Sequence, residues 1–196
     1  MTPQEIEARL RPGDVALAFD TNALFGEGSL FAVCSDVARH NEHLASRGLP
    51  SVRLVISAIA HTEKLFDLKQ EFQDRFDGGK ILRGLARKGL EVEPFGADHA
   101  IATAQRLGER HTTTAAWHQT KRRRCLQCLG LPTEMPTPGN GQGCGATVDW
   151  LIGGHARAAG CVLVTNDTGP EFAGLADRVE LDVLEAALQT ILREQV

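Results

Sequence analysis

The sequence VALAFDTN at residues 15–22 decides the fold of this chain. Its first five residues are apolar, which is typical of a strand buried on both faces of a parallel sheet. An acid, Asp20, follows that apolar run directly. Because ligands of an open α/β sheet bind at the carboxyl ends of its strands, the stretch predicts a central strand with a charged group at the ligand-binding edge.

Three further acids lie at comparable points of later elements. Asp167 follows the apolar residues 162–164, Glu63 lies early in a predicted helix after a second strand, and Asp149 lies in the first turn of another predicted helix. Four carboxylates at one sheet edge repel one another unless a cation lies between them. Hard cations such as Mg²⁺ prefer oxygen ligands. The pattern therefore predicts a metal-dependent phosphodiester hydrolase.

Each acid also has a purely structural interpretation when it is taken alone. Asp20 suits a helix cap, and Asp149 suits the first helical turn, where the helix dipole favours a carboxylate. Glu63 suits an exposed helical position, because Glu is a good helix former. Asp167 suits a turn. The prediction of a functional site depends on the four acids together.

The rest of the chain alternates strand-like and helix-like segments. Predicted strands cover 15–20, 52–57, 91–95 and 161–165, and a fifth lies near 179. Alternation of this kind predicts an α/β protein of three layers, α/β/α, with a central parallel sheet of about five strands. We expect a single domain over residues 1–196.

Residues 111–146 depart from this pattern. They contain four consecutive basic residues, a CxxC, three prolines and a glycine-rich stretch. We expect an irregular insertion here, because long stretches without regular structure inside a compact domain are usually functional or disordered.

The composition is that of a soluble globular protein, and it argues against several classes. Of the 196 residues, 42% are hydrophobic and 23% are charged, as in ordinary globular domains. No apolar run approaches the roughly 20 residues of a membrane helix. The first residues are polar and acidic, unlike a signal peptide, so we expect a cytoplasmic protein. Five cysteines, an odd number, argue against a disulfide framework. The net charge of −4 argues against a general nucleic-acid coat protein.

The four acid-bearing stretches together resemble the PIN-domain ribonuclease family, and most closely the VapC-type toxins of bacterial toxin–antitoxin pairs. The stretches are FDTNAL at 19–24, SAIAHTE at 57–63, TVDWLI at 147–152 and LVTND at 163–167. Their order and their strand contexts match the family. The resemblance leaves out residues 111–146 and the first ten residues.

The chain departs from the family in two respects. The insertion places Asp20 and Asp149 further apart in sequence than in typical small VapC toxins. After the last acid, Glu171-Phe172 stands where the family often has Asp-Phe. Thr168 and Glu171 also have the spacing of a helix capping box.

The resemblance implies an endoribonuclease that uses Mg²⁺ or Mn²⁺. Its catalytic and metal-binding acids would be Asp20, Glu63, Asp149 and Asp167. Three polar neighbours would orient these acids or their water ligands, namely Thr21, Asn22 and Thr165. From the residues alone, Thr21 and Asn22 suit a plain turn equally well. The implied partners are an RNA substrate, a small antitoxin protein and a second copy of the chain.

The insertion carries two further candidate sites. Tetrahedral Zn²⁺ takes Cys and His ligands, and a CxxC is a common half-site. The candidate zinc ligands are Cys125, Cys128, Cys144 and His118; the alternative is a set of reduced thiols. The basic run suits RNA phosphates, an acidic antitoxin or a solvated face; it consists of Lys121, Arg122, Arg123 and Arg124. Trp117 suits either stacking on a base or burial.

Two other functions compete with the nuclease. A non-catalytic PIN-fold module would bind RNA or protein through the basic, zinc-bound loop. An aspartyl phosphotransferase of the haloacid dehalogenase type would use Asp20 as its nucleophile. That chemistry wants a second Asp two residues later, where this chain has Asn22.

Overall fold

The computed structural model describes residues 1–25, 27–135, 148–167, 169, 172, 174 and 177–195. Its centre is a five-stranded, all-parallel sheet with the strand order β3-β2-β1-β4-β5. The strands are β1 (Ala16–Phe19), β2 (Arg53–Ser57), β3 (Leu90–Glu93), β4 (Val162–Val164) and β5 (Arg178–Val179). The predicted parallel sheet of about five strands is confirmed.

Helices flank the sheet and complete a three-layer α/β/α fold. They are α1 (Pro3–Leu10), α2 (Thr21–Phe25), α3 (Glu27–Ser46), α4 (Ala58–Phe72), α5 (Gly78–Arg87), α6 (Ala97–Arg110), α7 (Thr114–Cys128), α8 (Val148–Ala158) and α9 (Leu181–Glu194). Helix α9 packs on α1 and α3, whereas α8 packs on α4 and α6. None of the helices in the described ranges is both long enough and apolar enough to cross a membrane.

Strand β1 occupies the centre of the sheet because its residues are apolar on both faces. Leu17, Ala18 and Phe19 are each at most 3% exposed. The strand begins after a turn at Gly13, whose φ is +72° and which lies against the backbone of Pro50. A Cβ at Gly13 would come within 1.8 Å of the Pro50 carbonyl oxygen, so this turn requires glycine.

The sheet register brings three strand ends together. Phe19, the last residue of β1, pairs with Ile56 of β2 on one side and with Val164 of β4 on the other. Sequence order reverses at β1, since β2 and β3 lie to one side and β4 and β5 to the other. A reversal of this kind creates the crevice in which open α/β sheets bind ligands.

The structure corrects the prediction of an irregular segment over residues 111–146. Thr114–Cys128 forms a 15-residue helix, α7, which the Thr113 side chain caps by accepting from the N–H of Ala116. Alanine, glutamine, lysine and arginine, all good helix formers, dominate this part. The neighbouring proline and glycine residues had hidden that preference. Residues 136–146 of the predicted insertion lie outside the described residues.

Two smaller differences concern helices next to the site. Helix α2 follows Asp20 immediately and was not foreseen. In α8, Gly154 packs on α6, a contact that was not predicted from the sequence. A Cβ on Gly154 would lie 1.8 Å from Thr103 Oγ1. Gly154 therefore sets the close approach of two helices.

Candidate functional site

Asp20 lies at the end of β1, where the backbone still follows the sheet. Its N–H donates to the Val164 carbonyl at 3.0 Å, and the residue is only 3% exposed. Its carboxylate accepts from Thr165 Oγ1 and from the N–H of Thr21, both at 2.7 Å. Because β1 and β4 are paired in register, the residue after each strand, Asp20 and Thr165, meets the other directly.

Glu63 reaches the same place from α4. Ser57 caps this helix by accepting from the N–H of Ala60, which fixes where the helix begins. Glu63 then lies in its second turn and is half-buried. Its Oε2 accepts from Thr21 Oγ1 at 2.6 Å. Thr21 therefore links Asp20 to Glu63, one through its backbone and the other through its side chain.

Asp167 lies in the loop after β4 and is held by its own backbone. Its N–H donates to Thr165 Oγ1 at 3.0 Å, and its Oδ1 accepts from the N–H of Gly169 at 2.6 Å. Asn22 joins the same network, with Nδ2 donating to Thr165 Oγ1 and Oδ1 accepting from the N–H of Asn166, both at 3.3 Å. The Thr165 hydroxyl, which is fully buried, thus serves Asp20, Asp167 and Asn22.

Asp149 lies in the first turn of α8, as predicted, and a cation connects it to the other acids. Arg124 Nη2 is 3.6 Å from Asp167 Oδ2 and 4.0 Å from Asp149 Oδ2. All three side chains are about 30% exposed. The guanidinium of Arg124 therefore lies between two of the four predicted acids, where a cation is electrostatically favoured.

The charges at this edge act on one another. The pKa of Asp20 is raised chiefly by burial, and the negative charges of Asp167 and Glu63 raise it further. The hydrogen bonds from Thr165 and Thr21 oppose this effect. Ionising the Asp20 carboxyl is therefore costly in this arrangement, and a nearby cation would lower that cost.

The structure brings the four predicted acids to one region but does not close them around an ion. In the described parts of the chain, no group of three or more His, Cys, Asp or Glu side chains is arranged to hold a metal. The donor chemistry nevertheless suits Mg²⁺ or Mn²⁺, since the donors are carboxylate and hydroxyl oxygens. Arg124 occupies the gap between Asp149 and Asp167.

The predicted RNA-binding run does not form one continuous surface. Lys121 is 7% exposed, with its Nζ 5.4 Å from the centre of the Trp117 ring. Arg122 is half-buried and donates to the Met135 carbonyl at 2.9 Å. Arg123 is exposed, and Arg124 meets the acids. Successive residues of a helix point about 100° apart, so four in a row face four directions.

The candidate zinc ligands are only partly described. Cys125 forms a disulfide, and a sulfur in that state is not a thiolate ligand. His118 is half-buried on α7. The side chain of Cys128 and the whole of Cys144 lie outside the described part, so the zinc site stays a prediction for the reduced protein. Cys34 and Cys161 are buried free thiols, and burial raises the pKa of each to about 11.

Sequence reasoning missed the pairing of Arg124 with the acids. The only signal in the sequence was its membership of the basic run, which three neighbours share. The spacing from the N-cap Thr113 would have placed the run on a helix. It would not have shown which of the four residues turns toward Asp149 and Asp167.

One large cavity that the described residues form is separate from the acids. It has a volume of about 590 Å³ and lies among α2, α3, α4 and α5, with a mostly apolar lining that includes Leu24, Phe31 and Leu85. None of the four acids lines it. The candidate site is therefore defined by its charged groups rather than by the size of a cavity.

A scan against protein-family models and a search of curated proteins found no match to this chain. The resemblance to PIN-domain ribonucleases consequently rests on the four stretches of sequence, and it stays a prediction.

Proposed function

We propose that this protein is a metal-dependent endoribonuclease of the PIN type, which hydrolyses RNA phosphodiester bonds with Mg²⁺ or Mn²⁺. The observation that carries the proposal is the environment of Asp20. A carboxylate buried at the end of the central strand, with Glu63 and Asp167 close enough to raise its pKa, is costly without a cation. Such clusters are typical of sites for divalent ions.

The residues that would hold the metal are Asp20, Glu63, Asp149 and Asp167. The bound ion would lower the pKa of a coordinated water and neutralise charge on the phosphate oxygens. Thr165 and Thr21 keep the carboxylates of Asp20 and Glu63 in place through short hydrogen bonds. Fixed donors of this kind matter because small displacements of a catalytic group cost large factors in rate.

Arg124 has a separate part in the proposed cycle. In the metal-free protein its guanidinium balances Asp149 and Asp167. If the acids held a cation, the same guanidinium would be displaced from them and would bind a phosphate oxygen of the substrate. Arginine suits this exchange because its planar fork binds carboxylate and phosphate alike.

The test is cleavage of single-stranded RNA with Mg²⁺ or Mn²⁺ by the wild type and by Asp20→Asn and Asp149→Asn. We expect each variant to lose about a thousandfold in rate, since a metal ion contributes several kcal/mol to such reactions. Asp67→Asn is the matched control, because Asp67 is an exposed acid of α4. Thermal unfolding checks that the variants fold. Wild-type activity retained in Asp20→Asn would exclude Asp20 from the mechanism.

A second candidate is the non-catalytic binding module, and the Arg124 contacts favour it specifically. A guanidinium that permanently neutralises Asp149 and Asp167 would leave no place for a metal. Titration with Mn²⁺ separates the two proposals, because a nuclease binds the ion and loses that binding in Asp20→Asn. A wild type that neither binds Mn²⁺ nor cleaves RNA would favour the binding module.

We propose further that the nuclease is the toxin of a toxin–antitoxin pair, with a small antitoxin protein as its partner and a homodimer as its form. This part is supported by the resemblance to VapC-type toxins alone. Expression in a bacterial host tests it: we expect the wild type to stop growth and Asp20→Asn to leave growth normal. Equal growth with both proteins would count against the toxin.

A further inference from the structure

A cavity of about 390 Å³ lies next to the acids, between the end of α6 and helices α7 and α8. We call it the α6–α7 pocket, and its lining includes Arg110, His111, Arg123, Arg124, Gln127 and Trp150. Two of these residues connect it to the candidate site. Arg124 contacts Asp149 and Asp167, and Trp150 follows Asp149 in α8. A ligand in the pocket would therefore lie beside the acids.

The pocket is positively charged. Three of its lining residues are arginines, and no carboxylate belongs to the lining that the described residues form. Arg110 and Arg123 are exposed. Arginine binds phosphate through paired N–H donors, and each neutralised phosphate adds to the affinity for a nucleic acid. The charge of the pocket thus suits an anionic ligand.

The inner wall of the pocket is aromatic and has unused polar atoms. The rings of His111 and Trp150 lie 5.6 Å apart, and Trp117 packs edge-on against Trp150 at 5.7 Å. Trp150 is 1% exposed, yet its Nε1 has no hydrogen-bond partner within the described part of the chain. His111 Nε2 is in the same condition. Both nitrogen atoms are buried, so this wall meets a ligand chiefly through the ring of half-buried His111.

We propose that the α6–α7 pocket binds one nucleotide of a single-stranded RNA substrate, next to the bond that is cleaved. Arg110 and Arg123 hold the phosphate, while the base lies against the ring of His111 and reaches Gln127. The volume is within the range of pockets for small ligands. The RNA must be single-stranded at this point, because a protein can contact the whole of a base only where that base is unstacked. This inference rests on the proposed nuclease function and names its substrate.

The pocket is tested by binding in the absence of metal, where no cleavage occurs. The probe is a fluorescein-labelled, eight-nucleotide single-stranded RNA in EDTA, followed by fluorescence anisotropy over a range of salt concentrations. We expect the double variant Arg110→Gln, Arg123→Gln to bind at least about tenfold more weakly and the slope of log K against log[salt] to fall by about two. Trp150→Phe keeps a ring behind His111, and because the Trp150 N–H is buried we expect the affinity of this variant to stay close to that of the wild type.

The matched control is Arg83→Gln, Arg87→Gln on α5, which removes the same charge from exposed positions away from the pocket. We expect its affinity to stay within about twofold of the wild type. Equal losses in the two double variants, or no loss in the pocket variant, would overturn the proposal. Displacement of the RNA by a glutamate-rich peptide at lower concentration than by unlabelled RNA would assign the pocket to a protein partner and overturn it as well.

Cleavage is measured separately with Mn²⁺, so the two proposals fail in different ways. A wild type that binds RNA through the pocket but never cleaves it leaves the pocket in place and removes the nuclease. A pocket variant that cleaves with unchanged KM removes the pocket and leaves the nuclease.

Discussion

The strand-end acids and the inserted helix α7 meet at one site but are held there in different ways. Asp20 is fixed by the sheet itself, through its N–H bond to Val164 and the hydroxyl of Thr165. Helix α7 meets the fold through side chains, with Trp117 against Trp150 and Arg124 against two acids. The negative half of the site therefore comes with the fold, whereas the positive half depends on how α7 packs.

The largest effect should come from breaking the helix pair that places Asp149. We expect Gly154→Ala to lower the free energy of unfolding by about 3 kcal/mol, because the new methyl group overlaps Thr103 in α6. Urea denaturation measures this. Gly108→Ala in α6 is the control, since its Cβ meets nothing within 4 Å, and it should gain roughly 0.5–1 kcal/mol. Two variants of equal stability would show that α8 is not tightly held.

The second-largest effect should come from removing the Thr165 hydroxyl, which belongs to the part of the site that the sheet holds in place. We expect Thr165→Val to lower the free energy of unfolding by about 2 kcal/mol at neutral pH, because the buried Asp20 carboxylate loses a donor. The difference should shrink as acid protonates Asp20, whose pKa is already raised mainly by burial. Thr62→Val is the control, since that hydroxyl is exposed and donates only to the Ala58 carbonyl. A loss that does not change with pH would contradict the role of the donor.

Removing the cation that α7 contributes should strengthen the site's affinity for metal. We expect Arg124→Gln to bind Mn²⁺ about fivefold more tightly at low salt, because a competing cation worth about 1 kcal/mol is removed. Calorimetric titration measures the affinity directly, without any cleavage reaction. Arg123→Gln, the exposed neighbour, should change it by less than about twofold. Weaker Mn²⁺ binding in Arg124→Gln would mean that Arg124 supports the metal site instead of competing with it.

The smallest effect is a change in the pH dependence of stability, and it comes from α8, the helix that carries Asp149. His155 of α8 is fully buried, and burial, assisted by His99, lowers its pKa. Its Nε2 is 3.2 Å from Glu93 Oε2 but is not aligned for a hydrogen bond, so burial outweighs the attraction of Glu93. His155 therefore binds a proton more readily in the unfolded chain than in the folded chain, and the free energy of unfolding falls as the pH drops below about 6.5.

We expect His155→Gln to lose less stability than the wild type as the pH is lowered. The difference cannot exceed about 1.4 kcal/mol per pH unit, the slope for one proton. Denaturant titrations between about pH 7.5 and pH 5, a range that brackets the ordinary histidine pKa, measure this difference in stability. Other histidines, such as His61, titrate in both proteins and cancel in the comparison. Parallel stability curves would show that His155 is protonated in the folded state.

The sequence by itself determined the sheet and the acids at its edge. Apolar runs such as that ending at Phe19 mark buried strands, and the chain order then places Asp20, Glu63, Asp149 and Asp167 at one end of them. These are local patterns, because burial on both faces and the residue after a strand can be seen in a few neighbouring residues. The five parallel strands and the residues that follow them were therefore predictable.

Which groups meet those acids depends on how the helices pack. The basic run offered four equivalent cations, and the packing of α7 on Trp150 selected Arg124 for the acids and left Arg123 exposed. The same packing built the α6–α7 pocket, and the contact of Gly154 with Thr103 set the position of Asp149. The physical reason is range: a contact of 4 Å between segments far apart in sequence depends on the whole of the packing, which no local pattern contains.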